Sequence, residues 1–168
     1  LEVIDLPVRI DEYNQEIEKV PGRCIFNSVP DRGLGILHAA WPLIRRDFPG
    51  ASLVITSDYL LWGADGPRNH KYRLMYFDQK DVDFLGAVNR KRLVEEQLKA
   101  QVLSYPCVYD ELFCISAAEA QVAGAYPVTS AYGALETTNM GQVIYGNPTS
   151  PDWVDEFYNA VVENLKYP

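Results

Sequence analysis

The chain alternates short apolar runs with stretches whose apolar residues recur every three or four positions, and no segment repeats. Residues 23–27 (RCIFN) are apolar and bounded by Pro21-Gly22 and Pro30, the pattern of a short buried strand. From Gly33 onward, Leu34, Leu37, Trp41, Ile44 and Phe48 fall on one helical face. Pro42 inside that stretch predicts a kink, and Pro49-Gly50 ends it. Residues 52–56 read as a second strand, 82–85 as a third, 102–105 as a fourth, and 126–130 and 142–145 as two more. Helices are expected over 91–101, over 116–123 with Gly124 as C-cap, and over 153–165. In the first of these, Glu95 and Glu96 are read near the start and Lys99 near the end, the sense the helix dipole favours. Residues 57–78 are tyrosine-rich and irregular and carry no assignable pattern.

Strands and helices in this order predict an open, mainly parallel α/β sheet with right-handed crossovers. Ligands of such sheets bind beyond the carboxyl ends of the strands, so the segments that follow each strand are where chemistry is expected. One hundred and sixty-eight residues suffice for one domain with a sizeable core. A formal charge of −8 argues against a nucleic-acid backbone as partner, and no apolar run is long enough to span a bilayer. A few local donors can still hold a phosphate in an acidic protein. The three cysteines have no metal-type spacing and read as reduced thiols, which implies a cytoplasmic setting. With only His38 and His70 as histidines, a zinc site is not expected. The opening residues lack the basic-then-apolar order of a targeting peptide, and the absence of an initial methionine predicts a piece of a longer protein.

The densest segment is 111–130, ELFCISAAEAQVAGAYPVTS. Two glutamates, Glu111 and Glu119, flank a predicted helix start, followed by a small-residue helix, a glycine and a strand opening at Tyr126-Pro127-Val128. Read without further context, Ser116 and Glu119 also fit a capping box, in which the glutamate bonds its own helix's N-cap.

The segment resembles the C-terminal domain of retaining glycosyltransferases of the two-Rossmann-domain (B-type) fold, the glycosyl transferases group 1 family with its E-x7-E motif. The matching positions are Glu111, Phe113, Ile115, Ser116, Glu119, Ala120, Ala123, Gly124, Pro127 and Val128. Leu112 and Cys114 depart from the pattern, standing where glycines are common. After the first strand the family carries two bases five positions apart. Arg32-Gly33 matches the second, while Asn27 occupies the place of the first and offers only an amide. Residues 82–88 (VDFLGAV) resemble the strand and turn beside the nucleobase, and Gly133-Ala-Leu-Glu136 resembles a later G-x-x-E loop.

The resemblance implies a Rossmann-like α/β fold, an open parallel sheet of about six strands flanked by helices. It also implies binding of a nucleotide-diphospho-sugar donor, with no other cofactor and no Asp-x-Asp metal site. Arg32, Gly33 and the helix start at Cys114, Ile115 and Ser116 would hold the diphosphate. Phe113 would line the site, Ala87, Val88 and Asn89 would contact the base through their backbone, Glu119 would take the ribose hydroxyls, and Glu111 would face the sugar. Glu111 and Arg32 are thereby the expected catalytic pair. Residues 1–21 would be an interdomain linker and lead-in, residues 22–168 the donor-binding domain, and an N-terminal acceptor-binding domain would be missing. The isolated chain would therefore be an inactive part of a hexosyltransferase-like, retaining enzyme. A nucleotide-binding scaffold of the same fold without turnover is the alternative. A dinucleotide-binding oxidoreductase fits worse, because Gly33-Leu-Gly35 comes late and lacks the third glycine of G-x-G-x-x-G.

Overall fold

A computed structural model describes residues 7–63 and 66–167. Its sheet is built from β1 (Arg23–Phe26), β2 (Ser52–Ile55), β3 (Val82–Phe84), β4 (Val102–Tyr105), β5 (Tyr126–Ser130) and β6 (Gln142–Ile144). Every pairing is parallel and the spatial order is β3-β2-β1-β4-β5-β6. The expected Rossmann-like sheet of six parallel strands is what forms. The middle strands β1, β2 and β4 are almost wholly buried, as strands covered by helices on both faces must be.

Helices α1 (Leu34–Asp47), α2 (Gly66–Met75), α3 (Arg90–Lys99), α4 (Ile115–Val122), α5 (Leu135–Thr138) and α6 (Pro151–Lys166) connect or follow the strands. One layer packs α1 against α6 and α2, and the other packs α3 against α4. The apolar stripe of α1 is buried at Leu34, Leu37, Trp41 and Ile44, the residues its spacing singles out. Trp41, Phe26, Tyr105 and Phe157 are the largest side chains of the core. The ring of Phe157 stacks on Trp153 at 5.2 Å between centroids. Helix α1 runs unbroken through Pro42. Helix α6 begins two residues before the expected start, because Ser150 caps it by accepting from the Trp153 N–H and Pro151 supplies a preset first turn.

Three expectations on local structure are corrected. Helix α3 opens with Arg90, Lys91 and Arg92 and has no acid in its first turn, so the dipole reading of Glu95 and Glu96 does not hold. Glu96 is buried instead, paired with Arg23 at 2.8 Å and Arg92 at 2.8 Å, which makes it a tie between α3 and β1. The unassigned segment contains α2, whose weak amphipathic pattern hid it; residues 64 and 65 within that segment lie outside the described residues. The supposed loop after Gly133 includes the single-turn helix α5.

Of the expected lead-in, residues 1–6 lie outside the described residues. The rest is mostly exposed but anchored at a few points: Tyr13, with Val8 and Ile17, joins Val94 and Leu98 of α3 and Ala123 in a second apolar cluster. The Tyr13 hydroxyl donates to Gln97 Oε1 at 2.7 Å.

Candidate functional site

The order of the strands reverses between β1 and β4, and a crevice opens beyond their carboxyl ends at that switch point. Three segments shape it. The 3₁₀ turn Pro30–Arg32 follows β1, Gly33 leads into α1, and residues 106–114 lead from β4 to α4. Gly33 has φ of 127°, and a Cβ there would press into the Pro106 carbonyl, so only glycine lets the two loops meet. The result is an open cleft of about 410 Å³ lined by Arg32, Asp110 and the run Glu111 to Ser116.

Helix α4 points its N-terminus at this cleft. Its N-cap is Cys114, held at φ 65°, ψ 73° in the left-handed region and without a side-chain cap. Glycine adopts that conformation freely, so the position where glycine is common keeps the glycine geometry with a thiol in place. The Ala117 and Ala118 N–H groups donate back to the Cys114 carbonyl. Those of Ile115 and Ser116 find no acceptor among the described residues, so two donors and the positive dipole end face the cleft. Ser116 is not a cap. Its hydroxyl donates to the Asn27 carbonyl at 3.3 Å, which ties α4 to the end of β1. Beside it, both polar atoms of the Asn27 side chain are buried with no partner in the protein.

Across the cleft Arg32 and Glu111 form an ion pair of 2.7 Å, the carboxylate side chain 9% and the guanidinium 30% exposed. The guanidinium also lies over the Tyr109 ring, 5.5 Å from its centroid. The Tyr105 hydroxyl donates to the same Glu111 oxygen at 2.6 Å. The backbone of Glu111 is bridged to Gly133 and receives the Ala134 N–H at 2.7 Å. Gly133 has φ of 56°, and a Cβ there would overlap the Glu111 main chain. That close approach accounts for the glycine of the G-x-x-E loop, whereas Glu136 sits exposed on α5.

The capping box that Ser116 and Glu119 also fit does not form. Glu119 accepts from Arg90 at 2.7 Å and from Gln97 at 3.4 Å, with only 8% of the residue exposed. Arg90 in turn donates to Glu12 at 2.5 Å and to the Tyr13 hydroxyl at 3.3 Å. Asn89 caps α3 by accepting from the Arg92 N–H, leaving Ala87 and Val88 partly exposed in the turn before it.

The structure thus brings Arg32, Glu111, Phe113, Cys114, Ile115 and Ser116 around one cleft, with Asn27 and Gly33 behind it. Glu119, Ala87, Val88 and Asn89 do not line that cleft; Glu119 is bonded instead to Arg90, the first residue of α3 after the Asn89 cap. Tyr105, the last residue of an apolar strand, carried no signal of a site role in the sequence, and Arg90, at the edge of a post-strand segment, had no role of its own assigned.

All three cysteines are free and buried. Burial pushes the thiols up, Cys24 and Cys114 to about 12 and Cys107 to about 11, so none is a ready nucleophile. Contrary to expectation, one Asp-x-Asp spacing occurs, Asp81-Val82-Asp83. It begins at the amino end of β3, away from the cleft, and its acids are paired with Arg45 at 2.6 Å and Arg23 at 3.2 Å. No group of three metal-ligating side chains occurs among the described residues, and no described helix is long and apolar enough to cross a membrane. A larger hollow of about 800 Å³ opens at the amino ends of β4, β5 and β6 and contains none of the expected site residues.

The parallel α/β sheet and the cleft at its switch point, where Arg32 and the N-terminus of α4 meet, define a Rossmann-like domain. By sequence the chain belongs to the Glycosyl transferases group 1 family, which it matches over residues 27–159. No curated protein matches it. Among solved structures it is similar to the pneumococcal O-GlcNAc transferase GtfA in complex with UDP and GlcNAc (17% identity, TM-score 0.62). It is similar also to the catalytic domain of starch synthase IV from Arabidopsis thaliana bound to ADP and acarbose (12%, 0.66), and to Anabaena HepE in complex with UDP-glucose (15%, 0.65). These likenesses cover 88%, 87% and 94% of this chain but only 29%, 31% and 42% of those chains.

Proposed function

We propose that the chain is the donor-binding part of a retaining, metal-independent hexosyltransferase, and that residues 22–168 hold a nucleotide-diphospho-sugar. The observation that carries this reading is the Arg32–Glu111 pair set across from the unpaired N–H groups at the start of α4. A diphosphate leaving group needs cationic and N–H donors that are already in place as its charge develops. Arg32, Ile115 and Ser116 supply them, while Asn27, buried behind the cleft, stands where the family carries a second base. Glu111 would face the sugar, Glu119 the ribose hydroxyls, and Ala87, Val88 and Asn89 the base. Residues 1–21 would lead in from an acceptor-binding domain outside this chain, and the whole enzyme would work in the cytoplasm. Alone, the chain is expected to transfer no sugar. Measurable turnover by the isolated chain would contradict that half of the reading. The loss of one base at Asn27 favours, as second reading, a domain of this fold that binds without turnover; transfer by the full-length protein decides between the two.

The ribose assignment has its own test. With Glu119 as ribose acceptor, the wild-type chain binds a ribonucleoside diphosphate about tenfold or more tighter than its 2′,3′-dideoxy analogue, since a bond to a charged group is worth about 1.5–3 kcal/mol. In Glu119→Ala that gap shrinks, and Glu119→Gln keeps part of it. An equal gap in wild type and Glu119→Ala would leave the carboxylate as nothing more than the structural partner of Arg90.

A further inference from the structure

Glu111 is fixed more tightly than an ion pair at the edge of a cleft requires. Tyr105 closes β4 with no exposed surface. Its hydroxyl lies between Ser28 Oγ at 3.2 Å and Glu111 Oε1 at 2.6 Å. Arg32 Nη1 donates to that same oxygen at 2.7 Å, and the Cys107 thiol approaches it at 3.7 Å. Among the described residues every side-chain bond to Glu111 ends on Oε1, and Oε2 receives none. The main chain is clamped as well, by the bridge to Gly133 and the Ala134 N–H. One carboxylate oxygen is therefore spent inside the protein and the other is left to the cleft. Burial and neighbouring acids push the Tyr105 phenol far above its ordinary pKa, so it stays a neutral donor at any working pH.

We propose that Glu111 meets the donor sugar through a single oxygen, Oε2, and that Tyr105 is the positioning residue that decides which oxygen is presented. This rests on the reading of Glu111 as the sugar-facing acid. The physical reason lies in the geometry of the pair. The terminal torsion of a glutamate is broad and two-fold, and the guanidinium of Arg32 offers a fork that matches both oxygens of a carboxylate. With only Arg32 as partner, the carboxylate is free to turn both oxygens toward that fork and withdraw from the sugar. The charge-assisted bond from Tyr105 to Oε1 holds it in the one-oxygen arrangement. In the pattern of the chain this tyrosine looks like core; its hydroxyl makes it part of the site.

The test compares two affinities on one protein by titration calorimetry: UDP, ADP or GDP, and the matching UDP-glucose, UDP-N-acetylglucosamine, ADP-glucose or GDP-mannose. Tyr105→Phe removes one oxygen and keeps the ring. It is expected to leave the affinity for the bare diphosphate nearly unchanged and to lower the ratio of conjugate to diphosphate affinity about tenfold. Ser28→Ala, which removes only the other partner of the phenol, keeps the wild-type ratio. Glu111→Gln is an isosteric second probe. Its amide oxygen must face the two donors Tyr105 and Arg32, so its NH₂ replaces Oε2 in the cleft, and the ratio falls there also. A wild-type ratio in either Tyr105→Phe or Glu111→Gln, with the diphosphate still bound, overturns the proposal and leaves the donor-site reading standing. Failure of the wild-type chain to bind any of these nucleotides overturns both.

Discussion

Cys114 holds a side chain in a backbone geometry that favours glycine. At φ 65° it pays for a left-handed backbone that glycine would adopt freely, and it fills the space with a buried thiol. The burial that raises its pKa acts on Cys24 and Cys107 as well, and the sign of the consequence is definite. A thiol whose folded pKa lies above its unfolded value near 9 stabilises the fold fully below pH 9 and loses that contribution as pH climbs toward 11–12. By pH 10 each buried thiol should have given up roughly 1 kcal/mol, so the urea midpoint falls between pH 8 and pH 10. A serine at all three positions should flatten that fall; an unchanged slope in the triple variant would deny the thiols this role. In native protein at pH 8, none of the three should react promptly with a thiol reagent, and all three should react once unfolded. At this scale the sequence was partly legible. Glu111, Arg32 and Ser116 were expected near one ligand and lie around one cleft. The partners of Glu119 were not foreseen, because a capping box is local and the Arg90 contact spans 29 positions.

At the scale of elements, α3 and α4 are joined by polar ties as much as by packing. Arg90 connects Glu12, Tyr13 and Glu119, while Gln97 receives the Tyr13 hydroxyl and donates to Glu119. The segment before β1 is thus fastened to α3, whose leading turn holds the expected base contacts, and to Glu119 of α4, the expected ribose contact. Tyr13→Phe leaves the Gln97 carbonyl oxygen buried without its donor, which costs about 1–3 kcal/mol. Urea unfolding at constant slope should register that loss, and a change below a few tenths would mean that the bond contributes nothing. The strands and the long helices were readable from periodicity because burial on both faces writes nearly continuous apolar runs into a parallel sheet. Helix α2 was not, since Asn69 is its one buried residue, Leu74 is exposed, and only Tyr72 and Met75 lean on the core. The acids of α3 were misplaced for a similar reason: the helix starts at an asparagine cap one residue earlier, and Glu96 is selected by Arg23 across the fold and not by the dipole.

On the scale of the whole molecule, sheet order decides where function can be. Six parallel strands with the reversal between β1 and β4 leave one crevice at the carboxyl edge, and Gly33 lets the β1 and β4 loops close on it. Gly33→Ala forces a strained φ and a clash with the Pro106 carbonyl, a combined cost of at least about 2 kcal/mol, which thermal unfolding would reveal. A variant as stable as wild type would mean that the two loops are not in contact. In the proposed reading, Arg32 and the start of α4 hold a nucleoside diphosphate in this cleft. Calorimetric titration of the wild-type chain and Arg32→Ala with UDP, ADP and GDP tests it most directly. At least one of the three is expected to bind the wild type, and Arg32→Ala to weaken it about tenfold or more, the loss of a charged hydrogen bond. Equal affinity in the two proteins, or no binding of any of the three to the wild type, would contradict it.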